Sequence, residues 1–211
     1  MSAVQESRLR GDLQSLSDEQ LAHQAQEGCA ASFEELVRRY QVPVLHFLRR
    51  KAFAVNDVED LTQETFLRAY RKLGHYRSDR AFRPWLFTVA FRVALNAARD
   101  RKRAEQARPM EDLTIEARPS SRGKDDPETH LRLWSIAEDA LSEPQFTALW
   151  LFYVEQLSVR EIGCVLGRSA ASVKTTLFRA RKRLEPFLRR FTSEGERPGS
   201  PAGTITTGKE A

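Results

Sequence analysis

Hydrophobic positions recur three and four apart along most of the chain, and neither of its two patterned segments alternates apolar with polar residues as a strand would. The pattern predicts helices. The first runs from a cap at Ser17 through Leu21 and Ala25 to a stop at Gly28. Ser32 and Glu35 have the spacing of a capping box, opening an amphipathic helix on Phe33, Leu36, Val37 and Tyr40. Pro43 is expected to kink or interrupt that helix before Val44, Leu45, Phe47 and Leu48 resume its stripe. Asp57 is placed to cap a third helix from Val58 to Leu73, with Gly74 as its stop. Pro84 suits the first turn of a fourth, from Trp85 to about Arg103, with a core face of Leu86, Val89, Ala90, Val93, Ala94 and Ala97.

From Ala104 to Pro127 the periodicity lapses among Pro109, Pro119, Gly123 and Pro127. A gap of that length is too long for a loop inside a compact domain, so it predicts a linker. Beyond it, Leu131, Trp134, Ala137, Ala140 and Leu141 share one helix face. Ser142 and Gln145 form another capping box, with Pro144 in the first turn of a helix filled by Phe146, Leu149, Trp150 and Tyr153. The expected division is a loose N-terminus (1–17), a helical domain (18–103), the linker (104–127), a second helical domain (128–191) and a disordered tail (192–211). The fold class is all-α: two small domains on a flexible linker, each marginal in stability alone.

The most specific stretch is Leu157 to Leu184. Ser158 and Glu161 cap a short helix with an apolar face of Ile162, Val165 and Leu166, and Gly167 stands where a left-handed residue ends it. Ser169 caps a longer helix with an inner stripe of Val173, Leu177, Ala180 and Leu184. Its other face carries Ala171, Ser172, Thr175, Phe178, Arg179 and Lys182. Two helices on a glycine turn, the second small, polar and basic outside, form the helix-turn-helix pattern that enters a DNA major groove. A solvated basic helix is the plainer reading. Against it, residues 168 to 190 hold eight Lys or Arg and one acid, Glu185.

Charge alters the picture elsewhere too. A net charge of +5 and a pI near 9.5 suit a polyanionic partner, but the charges are segregated. Residues 77 to 103 hold eight Arg or Lys against Asp79 and Asp100, while residues 57 to 64 hold Asp57, Glu59, Asp60 and Glu64 with no base. The helix dipole accounts for acids in a first turn. It leaves a ridge of Asp60, Gln63, Glu64 and Leu67 that a partner protein can read. On the fourth helix, Thr88, Arg92, Asn96, Arg99 and Arg103 form a basic stripe beside Phe87, Phe91 and Leu95. Cations beside aromatic faces suit single-stranded nucleic acid, although Phe87 and Phe91 read first as core.

Candidate chemistry is sparse. Cys29 and Cys164 make no CxxC pair, and His23, His46, His75 and His130 are scattered, so no metal or cofactor is expected. No nucleophile-base pair suggests a catalytic residue, no apolar run is long enough to span a membrane, and the expected location is cytoplasmic.

Three stretches in order, Asp57 to Tyr70 (DVEDLTQETFLRAY), Pro84-Trp85-Leu86-Phe87, and Ser158 to Arg183, resemble a bacterial extracytoplasmic-function (ECF) sigma factor of the sigma-70 family. The likeness covers about residues 20 to 190. It implies that the first domain is sigma region 2, which docks on the clamp of core RNA polymerase and melts the −10 promoter element. The second is then region 4, which reads the −35 element and touches the polymerase flap. Carried over by position, Asp60, Gln63, Glu64 and Phe66 fall in the polymerase-docking helix. Trp85, Arg92, Asn96, Arg99 and Arg103 fall in or beside the −10 segment, and Arg168, Ser172, Lys174, Thr175, Phe178 and Arg179 on the −35 reader. The resemblance also implies an anti-sigma factor as partner. The chain departs from the pattern at Arg92, where asparagine is usual, at Asn96, where aspartate is usual, and at Thr176, where arginine is common. The alternative is a helix-turn-helix regulator that never engages polymerase, which would have no need of the acidic ridge.

Overall fold

The computed structural model describes residues 13–49, 55–107 and 128–195, and every regular element among them is helical. The first unit comprises α1 (Asp18–Gln26), α2 (Ala30–Arg49), α3 (Val55–Lys72), a 3-10 turn (Leu73–His75) and α4 (Phe82–Ala107). The second comprises α5 (Glu128–Ala140), α6 (Glu143–Tyr153), α7 (Val159–Leu166) and α8 (Ala170–Gly195). The first four residues of the expected linker, 104–107, belong to the last turn of α4, and α8 runs past the expected end at 191; residues 108–127 and 196–211 lie outside the described residues.

Helix starts follow local chemistry where the cap is free. Ser17 accepts from Gln20 N while Gln20 Oε1 accepts from Ser17 N at 2.8 Å, closing the box on α1. Ser158 and Glu161 do the same for α7, and Ser169 Oγ caps α8 by accepting from Ser172 N at 3.2 Å. Gly28 and Gly167 both have positive φ, at 100° and 64°, as helix-ending glycines do.

Three local expectations are corrected, and a fourth in part. Ser32 does not cap α2, which already begins at Ala30; its hydroxyl donates to Gln24 Oε1 at 2.7 Å, and Glu35 turns to Arg38 and Arg39. Asp57 lies inside the first turn of α3 instead of capping it. Gly74 sits within the 3-10 turn and has no left-handed backbone. Pro43 does not interrupt α2, which runs continuously through it. A mid-helix proline costs about 3 kcal/mol, and burial of Tyr40, Val44, Phe47 and Leu48 at about 1.5 to 3 kcal/mol each outweighs it.

The segment before α1 is also more anchored than the expected loose N-terminus. Arg39 Nη1 donates to Leu16 O at 2.9 Å, and its Nη2 donates to Leu13 O and Gln14 O at 3.1 and 2.9 Å. The same guanidinium pairs with Asp18 at 2.8 Å and with Glu35 at 2.9 Å. Hydrogen bonds from Arg38 first, and from Arg39, hold the Glu35 carboxyl down at about 2 against the cost of its burial.

Helix α1 then sets the position of α4. Glu19 Oε1 accepts from Phe82 N at 3.0 Å, supplying from another helix the cap that α4 lacks locally. Gln26 Nε2 donates to Leu73 O and Tyr76 O, both at 2.8 Å, fixing the turn that leads into α4. Tyr40, Tyr76, Phe82 and Trp85 pack ring against ring over this junction, with centroids 5.3 to 5.8 Å apart.

In the second unit, Trp134, Phe146 and Trp150 form the aromatic centre. Tyr153, expected in that core, is instead 46% exposed. Its hydroxyl accepts from Arg181 Nε at 3.1 Å, and the Arg181 guanidinium lies 5.2 Å from the Phe152 ring centre. Arg181 thus fastens α8 to α6. The units are not independent of one another: α7 packs along α4, and their buried apolar residues belong to one continuous cluster.

Candidate nucleic-acid and polymerase interfaces

On α8 the inner stripe is buried as its spacing predicts, with Val173 and Ala180 fully inaccessible and Leu177 and Leu184 nearly so. That anchoring turns Ser172, Lys174, Thr175, Phe178 and Arg179 outward, and Arg168 is exposed on the turn before them. Phe178 is 65% exposed. The Thr175 and Thr176 hydroxyls each donate back to a carbonyl one turn earlier, Ala171 O and Ser172 O.

On α4 the core face is also as read: Leu86 and Ala90 are fully buried, and Val89, Val93 and Ala94 are 8% exposed or less. Phe87 belongs to the core as well, edge-on to Phe47 with ring centres 5.3 Å apart, which removes it as a base platform. Arg92, Asn96, Arg99 and Arg103 are exposed and run along one side of the helix. Trp85 is half-buried against Tyr76 and Phe82. Among the described residues, neither Arg92 nor Arg179 has an ionic or hydrogen-bonded partner, whereas Arg103 lies 3.8 Å from Asp100.

The α3 ridge is divided. Asp60, Gln63 and Leu67 are exposed, Leu67 by 52%. Glu64 is half-buried and paired with Arg68. Phe66 is 8% exposed and faces the core, so it is not a free contact on the ridge. It forms instead a wall of a shallow groove of about 420 Å³ lined also by Phe33, Val37, Gln41, Leu67 and Tyr70. Phe33 and Tyr70 meet edge-on there, with ring centres 5.0 Å apart. Polar residues at one rim and an apolar floor at the other suit a helical protein partner better than nucleic acid.

Two residues escaped the sequence reading. Gly163, inside α7, faces the Arg168 carbonyl, and a Cβ there would lie 2.7 Å from that oxygen. Glu155 is a carboxylate 3% exposed that accepts from Trp150 Nε1 at 3.3 Å. Burial raises its pKa to about 7, although Arg83 and the Trp150 bond both pull it down. No group of acids, histidines and cysteines among the described residues could hold a metal ion, and no helix there is long and apolar enough to cross a membrane.

The described residues form two helical units with basic outer faces on α4 and α8 and an acidic-to-apolar face on α3. Residues 36–104 match the Sigma-70 region 2 model and residues 139–184 the Sigma-70 region 4 model. The ECF RNA polymerase sigma-E factor of Haemophilus influenzae is 33% identical over 183 residues, 81% of this chain and 94% of its own. Among solved structures, CnrH in complex with the cytosolic domain of CnrY superimposes with a TM-score of 0.61 at 26% identity, covering 82% of this chain and 97% of its own. The sigma factor RpoE of Bartonella quintana, solved with the anti-sigma factor NepR, gives 0.59 at 22% identity over 74% and 96%. This chain belongs to the ECF group of the sigma-70 family. It is a transcription initiation factor that binds core RNA polymerase and directs it to promoters, which sets aside the regulator without polymerase contact.

Proposed function

We propose a division of labour among three faces. The outer face of α8, with Arg168, Ser172, Lys174, Thr175, Phe178 and Arg179, reads the −35 duplex. Arg179 and Lys174 supply hydrogen bonds to bases or phosphates, and Phe178 with the Thr175 methyl offers apolar contact to thymine methyl groups. On α4, Arg92, Asn96, Arg99 and Arg103 track the −10 strand, with Trp85 at the head of the path. Melting a few base pairs costs several kcal/mol, which captured bases and neutralised phosphates offset. The covalent chemistry belongs to the polymerase; this chain works without catalysis of its own, in the cytoplasm.

The polymerase clamp docks on α3 through Asp60, Gln63 and Glu64, with the neighbouring groove floor of Leu67 and Tyr70 adding apolar contact. Phe66 supports that floor from below. The observation that carries the reading is the exposure of these faces on separate helices: two basic and one acidic-to-apolar. An anti-sigma factor that competes with polymerase would cover the α3 groove, while the flap contact falls to the second unit. Charge reversal by Asp60→Lys tests the docking face. The expected result is at least roughly ten-fold weaker binding to core polymerase with an unchanged helical spectrum, since truncated interface charges commonly cost 2 kcal/mol or more. Unchanged affinity would remove α3 from the interface.

A further inference from the structure

We infer that α1 is part of the machinery that captures the −10 strand, with Glu19 as the residue that positions Trp85 at the head of the α4 path. The inference rests on the reading of α4 above. It extends that reading to a helix lying before residue 36, where the match to the region 2 model begins.

Trp85, Arg92, Asn96, Arg99 and Arg103 follow one another at intervals of seven, four, three and four residues, so they fall on one line along α4. The four polar members are exposed, but Trp85 is half-buried, and its place depends on its neighbours. Phe82, one turn before it, and Tyr76 pack against its ring with centres 5.4 and 5.3 Å away. Phe82 is 1% exposed and is the first residue of α4. The backbone N–H groups in the first turn of a helix have no partner within it. Glu19 meets the first of them, its Oε1 accepting from Phe82 N at 3.0 Å, and places its carboxylate at the positive end of the α4 dipole.

Helix α1 can hold this turn because it is itself held. Asp18 Oδ1 accepts from Arg39 Nη1 at 2.8 Å, and its other oxygen accepts from the Tyr40 hydroxyl. Adjacent acids of α1 therefore face different helices, Asp18 toward α2 and Glu19 toward α4. Seven residues after Glu19, on the same face of α1, Gln26 Nε2 donates to Leu73 O and Tyr76 O, both at 2.8 Å. The two grips are about 10 Å apart along α1 by helical rise, one on each side of the turn into α4. Between them they fix Tyr76 and Phe82, the two rings that Trp85 packs against. A strand-capturing side chain held in place before the strand arrives loses less freedom on binding. Without the Glu19 acceptor the first turn of α4 frays and Trp85 loses its support, while Arg92 to Arg103, two turns and more along the helix, keep their places.

The test uses holoenzyme assembled from core polymerase and the full chain, with two dye-labelled probes from one promoter that the chain uses: the single-stranded non-template −10 segment and the −35 duplex. Binding is followed by anisotropy. Glu19→Ala should weaken −10 strand binding by roughly three- to ten-fold and leave −35 duplex affinity unchanged. Glu19→Gln, whose amide oxygen can still accept from Phe82 N, should bind both probes as the wild type does. If Glu19→Ala loses helical signal, Glu19→Asp, one methylene short of Phe82 N, takes its place with the same expectation. Unchanged −10 strand affinity in the folded variant, beside a weakened Arg92→Ala, overturns the role of Glu19 and leaves the α4 path standing. Unchanged affinity in Arg92→Ala as well overturns the α4 path and the inference with it. Equal losses in Glu19→Gln and Glu19→Ala overturn the cap, because the acceptor is kept in one and removed in the other.

Discussion

Gly163 of α7 and Arg168 in the turn before α8 approach so closely that a Cβ on residue 163 would stand 2.7 Å from the Arg168 carbonyl oxygen. The turn of the helix-turn-helix is therefore closed by the absence of a side chain as well as by the left-handed Gly167. Gly163→Ala gains helix propensity of about 1 kcal/mol but forces the turn apart. Backbone displacement of this kind costs about 1 to 3 kcal/mol or more, and it re-aims the whole of α8. We expect a net loss of stability, a melting temperature lower by several degrees and weaker −35 binding. Wild-type melting and DNA affinity in this variant would mean that the turn relaxes without cost.

Glu155 predicts a pH dependence of definite sign. Its carboxyl has a folded pKa of about 7, raised from 4.5 chiefly by burial, with Arg83 as the cation that opposes the shift. A raised acid contributes stability that is fully present below the unfolded pKa and is lost as pH rises through the folded one. Between pH 4.5 and 7 the wild type should lose on the order of 2 to 3 kcal/mol through this group, at about 1.4 kcal/mol per pKa unit. Glu155→Gln cannot ionise and its oxygen can still accept from Trp150. Urea unfolding at pH 5 and pH 8 should find the variant near wild type at the lower value and more stable at the higher. Equal differences at both would contradict the burial of an ionisable group there.

Arg179 is exposed and unpaired among the described residues, in the middle of the outward face of α8. If it reads a base, Arg179→Ala weakens −35 duplex binding by about 1 to 3 kcal/mol and relaxes preference at one base pair. Binding titrations on the parent site and its single-pair variants, each at two salt concentrations, separate the cases. A phosphate contact weakens every sequence alike and reduces the salt slope by about one. That second pattern would place base reading on Lys174, Ser172 and Phe178 instead.

Much of this architecture is legible from spacing alone, because it is local. The Ser17, Ser158 and Ser169 caps, the Gly28 and Gly167 stops, and the buried stripes of α4 and α8 depend only on residues one or two turns apart. The outward set on α8 follows from its inward set. Misreadings arise where a distant partner intervenes. Ser32 has a capping spacing, but Gln24 from α1 takes its hydroxyl and two arginines take Glu35. Pro43 reads as a break until the burial on both sides of it is counted. Phe66 is placed in the docking helix by the family resemblance alone, and its side chain turns into the core, 8% exposed, beside the exposed Gln63 and Leu67. Glu19 as the cap of α4 and Arg83 on Glu155 join residues 63 and 72 apart, which no periodicity encodes.

The central claim is that this chain supplies both promoter reading and promoter opening to core polymerase. In vitro transcription with core polymerase and a randomised promoter library, read by sequencing the RNA start sites, tests it directly. Starts that depend on the chain should share two sequence blocks at fixed spacing upstream, and Arg179→Ala should degrade the upstream block while Arg92→Ala degrades the downstream one. Chain-dependent starts with a single block, or no starts above the core polymerase background, would contradict the account.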